Sequence, residues 1–356
     1  MTKKVVCLVP KGTGGAQKMS ILIAKFLKDS NFDVVIYFIG KKAEDDMSNL
    51  VPPNIKYHYI IVKNILDFVT LRIIRVLVKE KPSSIFCSIM YLNIRAIIAA
   101  KIVDGINIVV RNDNMLSAQN YLNKTLLKIT YPKANFIIAQ QDEMKRDLVD
   151  NLSLRRNKNK VVVLNNPIDK EAVMRQANGD NPYSTMDDSV IYVWTANFMP
   201  TGSKGQDILV KAFKRVHELI PKSHLYLLGD TLGKNSYFTV ILNYIEENNL
   251  LDCVHIVGFK KNPYPWIKNA NCFVLPSRIE GLPNSLVDAM FLCRPVVATR
   301  CIPMIERMIE EGVNGYSVPV GDVELMADAM IKAINLKPEK MVYNPSEAKD
   351  FLPLFV

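Results

Sequence analysis

The chain is poor in the residues by which metal and redox chemistry is usually recognised. Its four histidines (His58, His217, His224, His255) are scattered, which argues against a metal cluster or a nucleophile–histidine–acid triad. Its six cysteines (Cys7, Cys87, Cys253, Cys272, Cys293, Cys301) contain no C-x-x-C pair. Several lie in apolar, strand-like runs, so reduced and buried thiols are expected. No apolar run reaches the roughly 18 residues that a membrane-spanning helix requires, and the N-terminal MTKKVVCLVP enters a strand pattern rather than a signal peptide. A cytoplasmic protein is the expectation. There is also no D-x-D metal motif, no G-x-G-x-x-G fingerprint and no internal repeat of solenoid length.

What is present is an ordinary globular composition: 356 residues, 49% hydrophobic and 22% charged, enough for two domains with full cores. The net charge of +10 is unevenly placed. Residues 1–170 hold 27 Lys and Arg against 14 Asp and Glu, and residues 171–356 hold 18 against 21. A one-sided positive field favours an anionic lipid surface, nucleic acid or an anionic substrate. The basic segments lack a recognition motif and interleaved aromatics, so no nucleic-acid partner is expected.

Apolar runs alternate with helical periodicity along the chain. VVCLVP (Val5–Pro10), the loop KGTGGAQ, MSILIAKFLKDS and DVVIYFIG (Asp33–Gly40) read as a βαβ opening whose glycines let a backbone approach a ligand closely. Ile65–Glu80 and Tyr121–Ala134 read as basic amphipathic stretches, suited either to their own sheet or to an anionic membrane surface. INIVVRND and KVVVLNNPID continue the alternation to residue 170. Residues 171–189 are polar and read as a linker, and a second alternation fills 190–340. The fold class is therefore α/β, with two Rossmann-like domains facing a cleft.

The most informative stretch is SRIEGLPNSLVDAM, Ser277–Met290, between the apolar runs NCFVLP and RPVVAT. It reads as strand, sharp loop, helix and strand. Gly281 and Pro283 suit the turn, and Leu282 leads into an apolar helix face of Leu286, Val287, Ala289 and Met290. The backbone amides of Asn284 and Ser285 at the helix start favour an anion such as phosphate. Glu280 and Asp288 flank that start, and an acid there repels phosphate, so Glu280 is read as a reader of hydroxyl groups. A sugar nucleotide offers both chemistries.

These residues resemble those of the GT-B glycosyltransferases of family 4, which retain anomeric configuration and use nucleotide sugars. The resemblance runs through GFKKNPYPWIKNANCFVLPSRIEGLPNSLVDAM, RPVVAT, VNGYSVPVGDVELMADAM, GGAQ and VLNNPID, and is nearest to bacterial enzymes of surface-glycan synthesis, such as capsule and lipopolysaccharide. It implies an acceptor-binding domain over 1–170 and a nucleotide-sugar domain over 190–340. The tail 341–356 carries Pro345 and Pro353, so it either returns to the first domain as a short segment or is truncated. It implies that Glu280, the first acid of an E-x7-E motif, contacts the donor sugar, and that Asp288, one methylene shorter than the family's glutamate, contacts the ribose. Lys204 matches the diphosphate-neutralising lysine. The usual arginine before it is Asn197, which leaves the diphosphate one cation short. Arg111 either replaces that charge or merely caps a strand end, Gly14 and Gly15 match the loop approaching the diphosphate, and Phe259 and Lys260 match the segment reading the nucleobase.

The expected activity is transfer of a hexose or N-acetylhexosamine from a UDP-sugar to a glycan, lipid-linked and presented at the inner membrane face. No divalent metal or other cofactor is expected. The rival readings are a nucleotide-sugar epimerase or a phosphorylase of the same architecture, and a non-catalytic nucleotide-sugar-binding module.

Overall fold

Runs such as KVVCLVP and VIYVWT carry apolar residues at successive positions, which suits strands buried on both faces of a parallel sheet. A computed structural model describes residues 2–12, 14–40, 47–62, 68–117, 119–152, 154–233 and 235–356. It divides into two units, Met1–Pro167 with Pro345–Val356, and Ile168–Asn344.

The first unit holds β1 (Lys4–Pro10), β2 (Asp33–Ile39), β3 (Lys56–Ile60), β4 (Ser84–Ser88), β5 (Asn107–Arg111), β6 (Phe136–Ala139) and β7 (Val161–Val163). The sheet order is β3-β2-β1-β4-β5-β6-β7 and every pairing is parallel. Side chains alternate between two cores. Val6, Leu8, Ile85 and Val110 face one, with Leu92 and Ile97 from the helix Met90–Val103. Val5, Cys7, Phe86 and Val109 face the other, with Ile23 and Leu27 from the helix Gly15–Asp29. Cys7, Cys87, Cys253 and Cys272 are buried free thiols, as the sequence led us to expect, whereas Cys293 and Cys301 are half-buried; burial raises the thiols of Cys7, Cys87 and Cys272. Of the two basic stretches, one contains the helix Val69–Glu80, with residues 63–67 outside the described set, and the other the helix Tyr121–Thr130.

The second unit holds β8 (Val190–Thr195), β9 (Ser223–Leu228), β10 (Val254–Gly258), β11 (Cys272–Leu275), β12 (Val296–Thr299) and β13 (Gly315–Val318), in the order β10-β9-β8-β11-β12-β13, again parallel. Residues 171–189 are not a free linker. They contain most of the helix Lys170–Ala177, capped by Asp169 accepting from Ala172 N at 3.0 Å. Val173, Ala177 and Tyr183 lie in the same core as Leu286, and the Tyr183 hydroxyl donates to Trp266 O at 3.0 Å. Eight residues with two inward apolar positions are too few to stand out as periodic.

Each sheet reverses its winding once, between β1 and β4 and between β8 and β11. Open α/β sheets bind ligands beyond the carboxyl ends of the strands at such a reversal. Lys11–Gly14 follow β1, Lys204 lies in the loop after β8, and Glu280 in the loop after β11. Beside the first reversal, Ile89 holds φ +83, a costly backbone angle for a β-branched residue.

The tail belongs to the first unit and is short. Glu347 and Asp350 form a reciprocal capping box on the helix Ala348–Phe351. Phe351, Leu354 and Phe355, spaced i, i+3, i+4, enter the core of Val5, Cys7 and Phe86. Phe355 meets Phe32 and Phe86 edge to face, with centroids 6.5 and 6.0 Å apart, and Asn107 Nδ2 donates to Leu354 O at 2.7 Å. Phe355→Ala is therefore expected to cost about 3–5 kcal/mol of stability, and Phe355→Leu well under half of that. Hydrogen exchange read by mass spectrometry checks it: protection falls in β1, β2 and β4 and holds in β8–β12.

Candidate functional site

The second unit's site grows from two loops that clasp each other. The loop after β8 has no regular structure from Ala196 to Gly205, and its ends are tied down. Ala196 N donates to Leu228 O at 3.0 Å, Phe198 N to Asp230 O at 2.8 Å, and Asn235 Nδ2 to Phe198 O at 2.8 Å. The loop after β11 reaches back: Arg278 N donates to Ser203 O at 2.8 Å, and Arg278 Nη1 donates to Gly202 O at 2.9 Å. Gly205, at φ +71, passes so close that a Cβ would lie 1.9 Å from Pro276 O. Gly229 meets Ala196 O in the same way, at 1.6 Å. Only glycine permits these approaches.

Within the clasp Lys204 Nζ donates to Glu280 Oε1 at 2.8 Å, and the two side chains are 26% and 9% exposed. Ser277 Oγ donates to the same oxygen at 2.7 Å, and Ser277 is fixed in turn by the Thr299 hydroxyl on its carbonyl. Cys301 lies near; burial first, and then the charge of Glu280, push its thiol up to about 11. The helix Asn284–Phe291 starts just beyond, with Asn284 and Ser285 half-buried in its first turn and Asp288 half-buried one turn on. Leu282 is buried in the core beside Leu286, so it anchors the loop through its side chain. Gly281 is half-buried in the bend between Glu280 and Leu282.

At the start of the first loop, Asn197 is a fastener: its Oδ1 accepts from Asp230 N at 3.1 Å and its carbonyl from Gln206 Nε2 at 3.2 Å. Phe259 is exposed after Gly258, whose φ is +77, and Lys260 Nζ sits 5.7 Å over the Trp266 ring. In the first unit, Gly14 caps the helix Gly15–Asp29 with ordinary extended angles, and Gly12 carries the unusual one, φ +128. Gln17 supports that turn by donating to Lys11 O at 3.3 Å; Thr13 lies outside the described residues.

Arg111 was the other candidate cation. It is 2% exposed, and its guanidinium donates to Ser88 Oγ at 3.1 Å and to Asn166 Oδ1. Burial lowers it to about 10, and Asp113 partly offsets this. Asn112 beside it accepts from the Tyr131 hydroxyl at 3.0 Å. These contacts link β4, β5 and the segment after β7.

Sequence reasoning missed Arg278, Asp207, Tyr237 and Ser277. Arg278 makes a two-pronged pair with Asp207, both N–O distances 2.7 Å, and the Tyr237 hydroxyl donates to Asp207 Oδ1 at 2.5 Å. Burial raises the Asp207 carboxyl, but the hydrogen bonds from Arg278 and Tyr237 outweigh it and the net shift is downward. No motif marks these residues, and Arg278 and Asp207 are 71 positions apart in the chain. Among the described residues no group of three or more His, Cys, Asp and Glu could hold a metal.

Family models reach both units. The one described as "Glycosyl transferases group 1" matches residues 189–335, and "Glycosyltransferase Family 4" matches 13–172. An uncharacterized glycosyltransferase of Methanocaldococcus jannaschii is 33% identical over 197 residues, 54% of this chain and 47% of that protein. An N-acetylgalactosamine-N,N'-diacetylbacillosaminyl-diphospho-undecaprenol 4-alpha-N-acetylgalactosaminyltransferase of Campylobacter jejuni is 28% identical over 178 residues, 50% and 45% of the two chains. The chain thus spans about half the length of the curated relatives it matches. The crystal structure of Anabaena HepE in complex with UDP and glucose superposes with a TM-score of 0.78, covering 93% of this chain and 92% of that one at 18% identity. At that identity the likeness is one of fold, the GT-B fold.

The close approach at Gly205 gives a direct test. Gly205→Ala meets both a left-handed backbone angle and a carbonyl, so a loss above about 3 kcal/mol is expected. Gly233→Ala has φ +78 and open space around it, and is expected to lose only about 1–2 kcal/mol. Urea denaturation followed by the fluorescence of Trp194 and Trp266 separates the two.

Proposed function

The chain belongs to the family 4-like glycosyltransferases of GT-B fold, and from that premise we propose that it transfers a hexose or N-acetylhexosamine from a UDP-sugar, with retention, to a glycan acceptor of bacterial surface-polysaccharide synthesis. The observation carrying this reading is the Lys204–Glu280 pair at the winding reversal between β8 and β11. One cation, one carboxylate and a helix start at a strand-end crevice match a ligand with a diphosphate next to a polyhydroxyl ring.

In the proposed reaction the bond between the anomeric carbon and the nucleotide's terminal phosphate oxygen breaks. The acceptor oxygen bonds to that carbon on the same face, and its proton passes to the departing phosphate oxygen. Lys204 moves from Glu280 to the diphosphate and, with the Asn284–Ser285 amides, stabilises the leaving charge. Glu280, released, accepts hydrogen bonds from the sugar hydroxyls, while Asp288 is assigned to the ribose and the Gly258–Lys260 segment to the base. This account uses no divalent metal. Relatives of Staphylococcus aureus named as a poly(ribitol-phosphate) alpha-N-acetylglucosaminyltransferase and a capsular polysaccharide biosynthesis glycosyltransferase support the substrate class.

Acceptor binding is assigned to the first unit, and so is a peripheral contact with an anionic inner membrane face. The helix Tyr121–Thr130 turns Leu127 and Thr130 inward and leaves Tyr121, Leu122 and Ile129 exposed beside Lys124 and Lys128. Leu71 and Val78 are exposed on the helix Val69–Glu80 among Arg72, Arg75 and Lys79. Apolar side chains interleaved with cations fit a lipid surface. Among the described residues no helix is long and apolar enough to cross a membrane.

Two outcomes are expected. Purified protein given radiolabelled UDP-sugars, a membrane extract and EDTA should label a glycan, and Glu280→Ala should lower the rate by at least about 100-fold while leaving the circular dichroism unchanged. Binding of UDP without transfer from any common donor counts against the reading, and NMR of the product separates transfer from epimerisation. On sedimentation with phosphatidylglycerol vesicles the protein should pellet, and Leu122→Glu with Ile129→Glu should release it; equal pelleting with neutral vesicles would sink the charge argument.

A further inference from the structure

We propose that Arg278, Asp207 and Tyr237 form the device that sets the position of the Lys204 ammonium, and thereby the affinity for the donor's diphosphate rather than for its nucleoside. This rests on the donor reading above and names three positioning residues for it.

Lys204 lies in a loop whose neighbours on both sides are held by these groups. Before it, the carbonyls of Gly202 and Ser203 accept from the guanidinium and the main chain of Arg278. After it, Gly205 is pressed on Pro276 O. Asp207, three residues on and in the first turn of the helix Gln206–Leu219, grips both prongs of Arg278. Tyr237, from the helix Ser236–Glu247, closes the set: its hydroxyl donates to Asp207 Oδ1 at 2.5 Å and accepts from Asp207 N at 3.2 Å. Its ring also fills the space beside Gly202, where a Cβ would lie 2.9 Å from a ring carbon.

The side chains of Arg278 and Asp207 are 37% and 22% exposed. An ordinary ion pair at that exposure contributes little to stability, but the two-pronged geometry and the third side chain set this one apart. What such an arrangement provides is position: the planar fork fixes direction as well as distance. Once Lys204 leaves Glu280 for a phosphate, its reach depends on where its backbone is held, and that is the segment Arg278 grips. The same fork points Arg278 at Asp207, so it is not the second phosphate cation that Asn197 fails to supply.

Calorimetry with UDP, and with uridine by displacement, tests this on the intact chain. Asp207→Asn and Arg278→Gln are expected to weaken UDP about 10-fold and uridine less than about twofold, with Arg278→Lys between wild type and Arg278→Gln. In the Lys204→Ala background Asp207→Asn should add almost nothing, because both act through one group. Tyr237→Phe removes only the hydroxyl, should weaken UDP about threefold, and carries the test if the charge variants do not fold. Unchanged or tighter UDP binding in Asp207→Asn, or in Tyr237→Phe when the charge variants do not fold, overturns the inference; tighter binding in Asp207→Asn would mean that Arg278 is itself a phosphate ligand. Equal losses for UDP and uridine overturn it as well. Wild-type protein that binds no UDP removes the donor reading and the inference together, whereas wild-type binding with unaffected variants removes the inference alone.

Discussion

Everything proposed for the second unit depends on the contact between two loops, Ala196–Gly205 after β8 and Pro276–Pro283 after β11. The sheet forces them together, because β8 and β11 are neighbours at the point where the winding reverses. Adjacent strands put their carboxyl ends a few ångströms apart, and the loops then meet backbone to backbone at Gly205 and Pro276. Lys204 and Glu280 become a 2.8 Å pair although they are 76 positions apart in the chain. The pair satisfies two charges at a half-enclosed site, where leaving either alone would be costly. It also holds the ammonium at the strand-end crevice.

The first unit is organised around its own reversal, between β1 and β4, but fills the space differently. There the polar groups at the strand ends are bonded to one another: Arg111 to Ser88 and Asn166, Tyr131 to Asn112, Asn93 to Tyr131. A buried guanidinium needs such partners, and here they link the strand ends to one another. The tail adds a second kind of closure. Phe351, Leu354 and Phe355 complete a core that β1, β2 and the helix Gly15–Asp29 leave open on one side, so chain segments far apart in sequence share one hydrophobic unit.

How much of this was legible follows from what each feature writes into the sequence. Buried parallel strands write continuous apolar runs, so β1, β2, β8 and β11 stand out. The edge strand β3, KYHYI, with only Ile60 buried, does not. Glu280 and the start of the helix Asn284–Phe291 were visible because the loop chemistry and the helix pattern sit side by side. Arg278 and Asp207 were not, since a pair 71 residues apart has no spacing to recognise. The short tail was obscured by Pro345 and Pro353, which rule out a long helix but not a single capped turn. Its apolar residues at i, i+3, i+4 were the available signal. The segment 171–189 misled for the opposite reason: a polar surface hid the inward Val173, Ala177 and Tyr183.

The charge inventory at the clasp explains why position would matter there. Asn197 is committed to Asp230 and Gln206 and supplies no charge, and Arg278 is committed to Asp207. Among the described residues of the two loops, what the donor reading leaves for a diphosphate is the Lys204 ammonium and the partial charge of a helix start, about half an elementary charge. At 4 Å and an effective dielectric of about 20, one unit charge contributes about 4 kcal/mol, and the value falls in proportion as the separation grows. A site with several cations tolerates the displacement of one. A site that relies on one such side chain does not, and this is the ground for proposing that Arg278 and Asp207 serve to place Lys204.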